Sequence, residues 1–240
     1  MLHQRLHKIS SIASVYGKAA SGGGASIATL FSAGNSTTIS GTWTAASGLT
    51  FSNGVACVAL VQQTGGSDLV ANAVVINGVV ATQLGGTTGD AADFMTLWYA
   101  PVSSGTGSIT VANVSGGFQT IAGCGWMITG VGSTTPTTSQ LQDNFTTNHP
   151  DPQGPLSSFV VNSGGVACFA IGSTFKTTTA VFPLSWSQAT RDASTEVLAS
   201  NGNGAVIGGA HISAGGTYSG IQVSGATNMQ FSGLVGAAWA

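Results

Sequence analysis

The chain has 240 residues, of which only 5% are charged, five Lys and Arg against seven Asp and Glu; an ordinary soluble domain carries roughly 25%. Three of the basic residues, Arg5, Lys8 and Lys18, precede every acidic one, so the rest of the chain holds only Lys176 and Arg191 against all seven anions. That excludes a body surface able to neutralise a phosphate backbone, and no nucleic-acid partner is expected.

Hydrophobic residues still make up 42% of the chain, beside 36 glycines, which is too apolar for a disordered segment. A folded surface this poor in charge has little electrostatic protection against association, so a protein that works in an assembly is expected. No run reaches the ~18 apolar residues of a membrane span. Residues 1–8 have the basic character that opens a signal peptide, but 9–18 are too polar and too short for its apolar core. The expectation is a chain made in the cytoplasm without a signal peptide.

At the N-terminus Leu2, Leu6, Ile9, Ala13 and Tyr16 fall on one helical stripe. Ser10, Ser11, Ser14, Ile12 and Val15 make that helix weak by itself, so the stripe needs a partner to order it. These five residues are the candidate partner-binding set. A Ser-Gly-Gly-Gly-Ala-Ser run at 21–26 follows as a flexible joint. The organisation read from this is an arm and hinge over 1–26 and a body over 27–240.

The body reads as strand and turn. Alternation starts at 36–43, and a hairpin is expected at 74–80, where Asn77-Gly78 supplies the positive φ angles of a type I′ turn. Strands follow at 94–100, 108–114 and 118–131. Segment 133–157 holds four of the six prolines and reads as one long irregular loop. Further strands are expected at 158–162, 166–173, 181–188, 196–200, 205–213, 217–224 and 234–239. Such spacing points to an all-β protein with a β-sandwich or jelly-roll-like body. The loop divides two similar halves, 27–132 and 158–240, leaving one sandwich or two open.

The halves echo each other, Gly-Val-Ala-Cys-Val-Ala-Leu at 54–60 against Gly-Val-Ala-Cys-Phe-Ala-Ile at 165–171. In each, the large residues (Val58 and Leu60; Phe169 and Ile171) share one strand face and the small ones (Cys57 and Ala59; Cys168 and Ala170) the other. One face fills a core. The other is flat and apolar, suited to packing against another sheet, a loop or a neighbouring subunit.

Catalytic constellations are scarce. There is no phosphate loop, nucleophile elbow, zincin motif or dinucleotide fingerprint, and no cofactor or metal is expected. Asp90 and Asp93 are two oxygen donors where calcium wants six to eight. Asp192 and Glu196 share a strand face by simple alternation, as glycosidase carboxylates would, but adjacent Arg191 suggests charge pairing. His149 stands beside Asp151 in a loop, His3 and His7 belong to the arm, and His211 to an apolar strand. Cys57, Cys124 and Cys168 read as buried free thiols. Trp98, Trp126, Trp186 and Trp239 read as core, leaving Trp43 and Tyr218 as the aromatics for a sugar-stacking platform. The sequons at Asn35, Asn113 and Asn144 are near chance in so Ser/Thr-rich a chain.

The segments 74–78, Leu97-Trp98-Tyr99, 105–111 and 122–130 together resemble a β-sandwich pattern of tailed-bacteriophage virion proteins and some bacterial surface proteins. The resemblance covers 74–131 and lies in strands, so it carries over no active site. It implies a non-enzymatic virion subunit, a capsid decoration protein or a head or tail fibre, attached to other virion proteins by its arm. A homo-oligomer is implied, with threefold symmetry the first to look for. The alternative is a carbohydrate-binding or adhesin module, with a host glycan as partner.

Overall fold

A computed structural model describes residues 24–35, 41–64, 73–88, 93–112, 118–144, 153–176, 185–198, 203–224 and 231–240. The arm stripe, hinge residues 21–23, Asp90, Asn113, His149 and Asp151 lie outside the described residues, while the last hinge residue, Ser26, already begins a strand.

The described chain is all-β. The first half runs β1 (Ser26–Asn35), β2 (Thr42–Phe51), β3 (Gly54–Thr64), β4 (Ala73–Ile76), β5 (Val79–Val80), β6 (Thr82–Thr88), β7 (Asp93–Val102), β8 (Gly105–Ala112) and β9 (Phe118–Thr129). The second runs β10 (Thr138–Asn144), β11 (Gln153–Leu156), β12 (Phe159–Val161), β13 (Val166–Lys176), β14 (Ser185–Trp186), β15 (Thr190–Leu198), β16 (Asn203–Ile212), β17 (Gly216–Tyr218), β18 (Ile221–Ser224) and β19 (Phe231–Trp239). Asn77 and Gly78, at φ 50° and 80°, make the turn between β4 and β5 that their sequence demands.

The 133–157 segment contradicts its loop reading, because β10 and β11 lie inside it. Among the described residues β10 is an edge strand pairing only with β19. Its sequence, Thr-Ser-Gln-Leu-Gln-Asp-Asn, is polar because an edge strand need not bury both faces, and its one large apolar residue, Leu141, is exposed.

Every strand pair is antiparallel, and the two halves have one connectivity. In the first, a five-stranded sheet β1-β9-β3-β7-β6 faces a four-stranded sheet β2-β8-β4-β5. In the second, β10-β19-β13-β16-β15 faces the short sheets β11-β18-β14 and β12-β17. In each larger sheet the half's first strand pairs with its last, and the last with the central strand. Strands β2, β4, β5 and β8 supply the facing sheet of the first half, and β11, β12, β14, β17 and β18 those of the second. This is jelly-roll connectivity, run twice along the chain.

Side-chain alternation then stacks four layers. Ala56, Val58 and Leu60 of β3 face the first core, with Phe51, Ile76, Trp98 and Ile109. Ala167, Phe169 and Ile171 of β13 face the outer core of the second half, with Phe159 and Ile221. The opposite faces of the same two strands, Val55, Cys57, Ala59 and Val61 against Val166, Cys168 and Ala170, meet in a third core that is the seam between the jelly rolls. The flat face read from the sequence is therefore packed against another sheet of the same chain.

The seam is tight because its residues are small. Gly172 of β13 stands where an added Cβ would lie 2.9 Å from Val61 Cβ and 3.1 Å from Met95 Sδ of the other sheet. Val61 Cβ is fixed by the β3 backbone, so no side-chain rotation relieves that contact. The linker is closed onto the last strand by Gly132 N donating to Ala240 O and Thr137 N to Ala238 O. Trp239 Nε1 donates to Thr134 O at 3.1 Å. Where the described chain begins, Ala25 N donates to Gly164 O of the second half.

Gly172→Ala is expected to lower the urea midpoint by the equivalent of about 1–3 kcal/mol, the usual cost of overpacking. Gly85→Ala, whose Cβ would meet nothing within 4 Å, is the control and should shift stability by less than about 0.5 kcal/mol.

Candidate functional site

The seam holds one concentrated set of polar side chains. β15 carries a register shift between Arg191, opposite Ala210, and Ser194, opposite Gly208, so one extra residue bulges there. The bulge places the Asp192 side chain, only 7% exposed, in the seam. Its Oδ2 accepts from Trp126 Nε1 of β9 at 2.7 Å. Its Oδ1 accepts from His211 Nδ1 of β16 at 2.7 Å, the tautomer that a carboxylate acceptor requires. His211 is 21% exposed and gives the cluster its contact with solvent. Beside it, Ser32 of β1 and Thr195 of β15 share a hydrogen bond between the two halves.

A carboxylate removed from water is costly unless its lone pairs are met. Here one donor comes from each jelly roll, so satisfying Asp192 requires the halves to be docked. The cluster is thus a polar latch inside an apolar seam.

The register shows that the latch is one version of a repeated corner. Cys57 is opposite Tyr99 and Cys168 opposite His211. Tyr99 is opposite Thr82 and His211 opposite Thr190. β6 shifts between Gln83 and Gly85, so Leu84 holds the bulge position that Asp192 holds in β15. At the Leu84 corner the contact is apolar: the Tyr99 ring meets Trp239 edge-on at 6.2 Å, and Leu84, Leu97, Leu141 and Val235 line a cavity of about 190 Å³. One corner of the seam is polar and the other greasy.

Imidazole held by carboxylate is the orienting half of a general-base arrangement and needs a nucleophile to act on. The thiols near it are poor ones. All three cysteines are free and buried. Burial pushes the Cys57 thiol well above its ordinary value, with Cys168 adding to the shift, and burial pushes Cys124 up likewise, with Cys168 and Asp192 adding. A neutral thiol is neither a good nucleophile nor a good metal ligand. Among the described residues no group of three or more His, Cys, Asp and Glu is placed to hold a metal ion.

The remaining sequence candidates are dispersed. The bulge between Arg191 and Ser194 breaks the simple alternation on which the reading of Asp192 and Glu196 rested. Arg191 does not pair with Asp192 as expected; its Nη2 donates to Ser194 Oγ at 3.3 Å. Trp43 is 7% exposed in the first core, which removes it from any surface platform. Tyr218 is half-buried against the outer core of the second half, its hydroxyl donating to Ala214 O. Trp98, Trp126 and Trp239 are buried as their strands implied. Asp93 begins β7 and is paired there with Gln63. The latch itself was missed, since its members lie 66 and 19 residues apart and only the bulge aims Asp192 inward.

No protein-family model matches the chain, and no significant match is found among curated proteins or solved structures. No helix among the described residues is long and apolar enough to cross a membrane.

Asp192→Ala should cost about 2–3 kcal/mol, the range for a lost hydrogen bond to a charged group. Combined with Trp126→Phe, which removes the donor it orphans, the loss should be less than additive in a double-mutant cycle read by urea unfolding. A separate expectation follows from the thiols. Cys57 and Cys124 stay protonated in the folded chain, while in the unfolded chain they begin to ionise near the ordinary value of 9.0. The unfolded state then binds fewer protons, so stability present below pH 9 falls as pH rises past it, by up to about 1.4 kcal/mol per pH unit for each thiol. Urea titrations from pH 8 to 10.5 measure this, and Cys124→Ala should flatten the slope.

Proposed function

We propose that this chain is a non-enzymatic structural subunit of a virus particle, a bacteriophage capsid decoration or a head or tail surface fibre protein attached through its N-terminal arm. The observation that carries the reading is the seam. Two jelly rolls packed back to back through a dry face of small residues make a stiff body in which the polar cluster serves docking instead of exposing reactive groups. A body of this kind bears load and covers surface.

Two further features support the reading. The low charge of the chain favours a surface matched to neighbouring subunits over one kept apart by repulsion. The described chain starts at the seam, with Ala25 bonded to Gly164 and Ser26 Oγ to Thr129 Oγ1 at 2.7 Å, so a pull on the arm is delivered to both jelly rolls. Ordering Leu2, Leu6, Ile9, Ala13 and Tyr16 against a capsid or tail protein would bury their stripe and supply the attachment. Self-association, with a trimer the first arrangement to test, would place several arms on one anchor and raise avidity without new contacts.

Particles purified from the culture in which the chain is made should contain it at a fixed ratio to the major capsid or tail protein, by quantitative mass spectrometry. A chain lacking residues 1–20 should keep its β circular dichroism spectrum and its melting temperature yet be absent from those particles. Equal incorporation of the shortened chain would contradict the arm's role, and absence of the full chain from particles would contradict the virion reading.

A further inference from the structure

The seam places one pair of cysteines at matching positions of the two jelly rolls. Cys57 follows Val55-Ala56 in β3, and Cys168 follows Val166-Ala167 in β13. Each is on the central strand of its five-stranded sheet. Each points into the seam with no exposure, and their sulfurs lie 3.4 Å apart. That is sulfur–sulfur contact with no room for an atom between. Near-twofold packing produces it: matching positions on the central strands of two related sheets meet each other at the centre of the interface.

We propose that Cys57 and Cys168 are a disulfide-forming pair, a covalent staple joining the two jelly rolls across the seam. A disulfide bond is about 2.05 Å long, so the sulfurs must close by a little over 1 Å. Cys124 is the rival partner, lying near enough to Cys168 to act on it. The sulfur contact, however, is between Cys57 and Cys168, and on β9 Cys124 is opposite Ala59 whereas Cys57 is opposite Trp126. Cys124 is therefore displaced along the sheet from the Cys57–Cys168 contact.

The oxidant is a low-molecular-weight disulfide, R–S–S–R. One cysteine, deprotonated, attacks it, forming a mixed disulfide and releasing R–S⁻. The second cysteine, deprotonated in turn, attacks the protein-bound sulfur, forms the Cys57–Cys168 bond and releases a second R–S⁻. Two protein thiols are oxidised, one reagent disulfide is reduced to two thiols, and the two protons lost by the cysteines end on the released thiolates. With both thiols fully buried, the reagent reaches them only while the seam is open. The closed reduced protein should therefore resist oxidation, and the closed stapled protein should resist reduction. The staple would enclose a loop of just over a hundred residues, long enough for a large effect on the unfolded chain.

The inference does not rest on the virion reading, and its test uses the full chain. Protein unfolded in urea is refolded by dilution into oxidised glutathione, and the product is digested and mapped without reduction. The expected result is a Cys57 peptide joined to a Cys168 peptide, with Cys124 free, and a melting temperature raised by about 10 °C over the reduced protein. The same linkage should form in Cys124→Ala and disappear in Cys168→Ala. Because the wild-type map is decisive alone, a variant that fails to fold does not obscure the result. Linkages spread over all three cysteines, or a linked form melting below the reduced one, would overturn the proposal.

Discussion

Two β-sheets approach closely face to face only where the side chains between them are short, and that condition governs this molecule. β3 and β13 present Cys57, Ala59, Cys168 and Ala170 to each other, and Gly172 removes even a methyl group where Val61 and Met95 come through. The bulk is sent the other way: Val58 and Leu60 fill one core, Phe169 and Ile171 another. Both central strands are therefore buried on both faces, which is why they read as continuous apolar runs. The chain's scarcity of charge is consistent with so much of it being interior.

A dry seam holds two bodies together but does little to fix how they are aligned. The polar groups at its margin supply that. Asp192 is satisfied only when Trp126 of one half and His211 of the other are both in place, and Ser32 with Thr195 repeats the constraint nearby. At the matching corner Leu84 replaces the carboxylate, and packing against Tyr99 and Trp239 takes over. The asymmetry gives the seam one aligned docking mode from two halves of nearly identical topology. It also accounts for a carboxylate and an imidazole sitting together without a catalytic partner: they align the two halves.

Much of this was legible in the sequence, for identifiable reasons. The 54–60 and 165–171 echo marked the two central strands, and alternation within it separated the core face from the seam face. Asn77-Gly78 marked its hairpin because few other pairs tolerate those φ angles. β10 was hidden because an edge strand pairs through its backbone and can be polar throughout. The latch was hidden because a bulge at 191–194 inverts the alternation from which side-chain direction is inferred. Trp43 was misjudged for a related reason: β2 is a bulged edge strand whose sequence does not show which face is covered. The thiol contact between Cys57 and Cys168 needed the packing of two sheets, which no local pattern contains.

The central claim is that two jelly rolls form one body because neither can leave its seam face in water. Differential scanning calorimetry of the intact reduced chain, set beside the separate segment 24–132, tests it most directly. The account predicts a single transition whose calorimetric and van't Hoff enthalpies agree, and an isolated first half that melts far lower or fails to fold. Two resolved transitions, with the isolated half melting at the temperature of one of them, would contradict it.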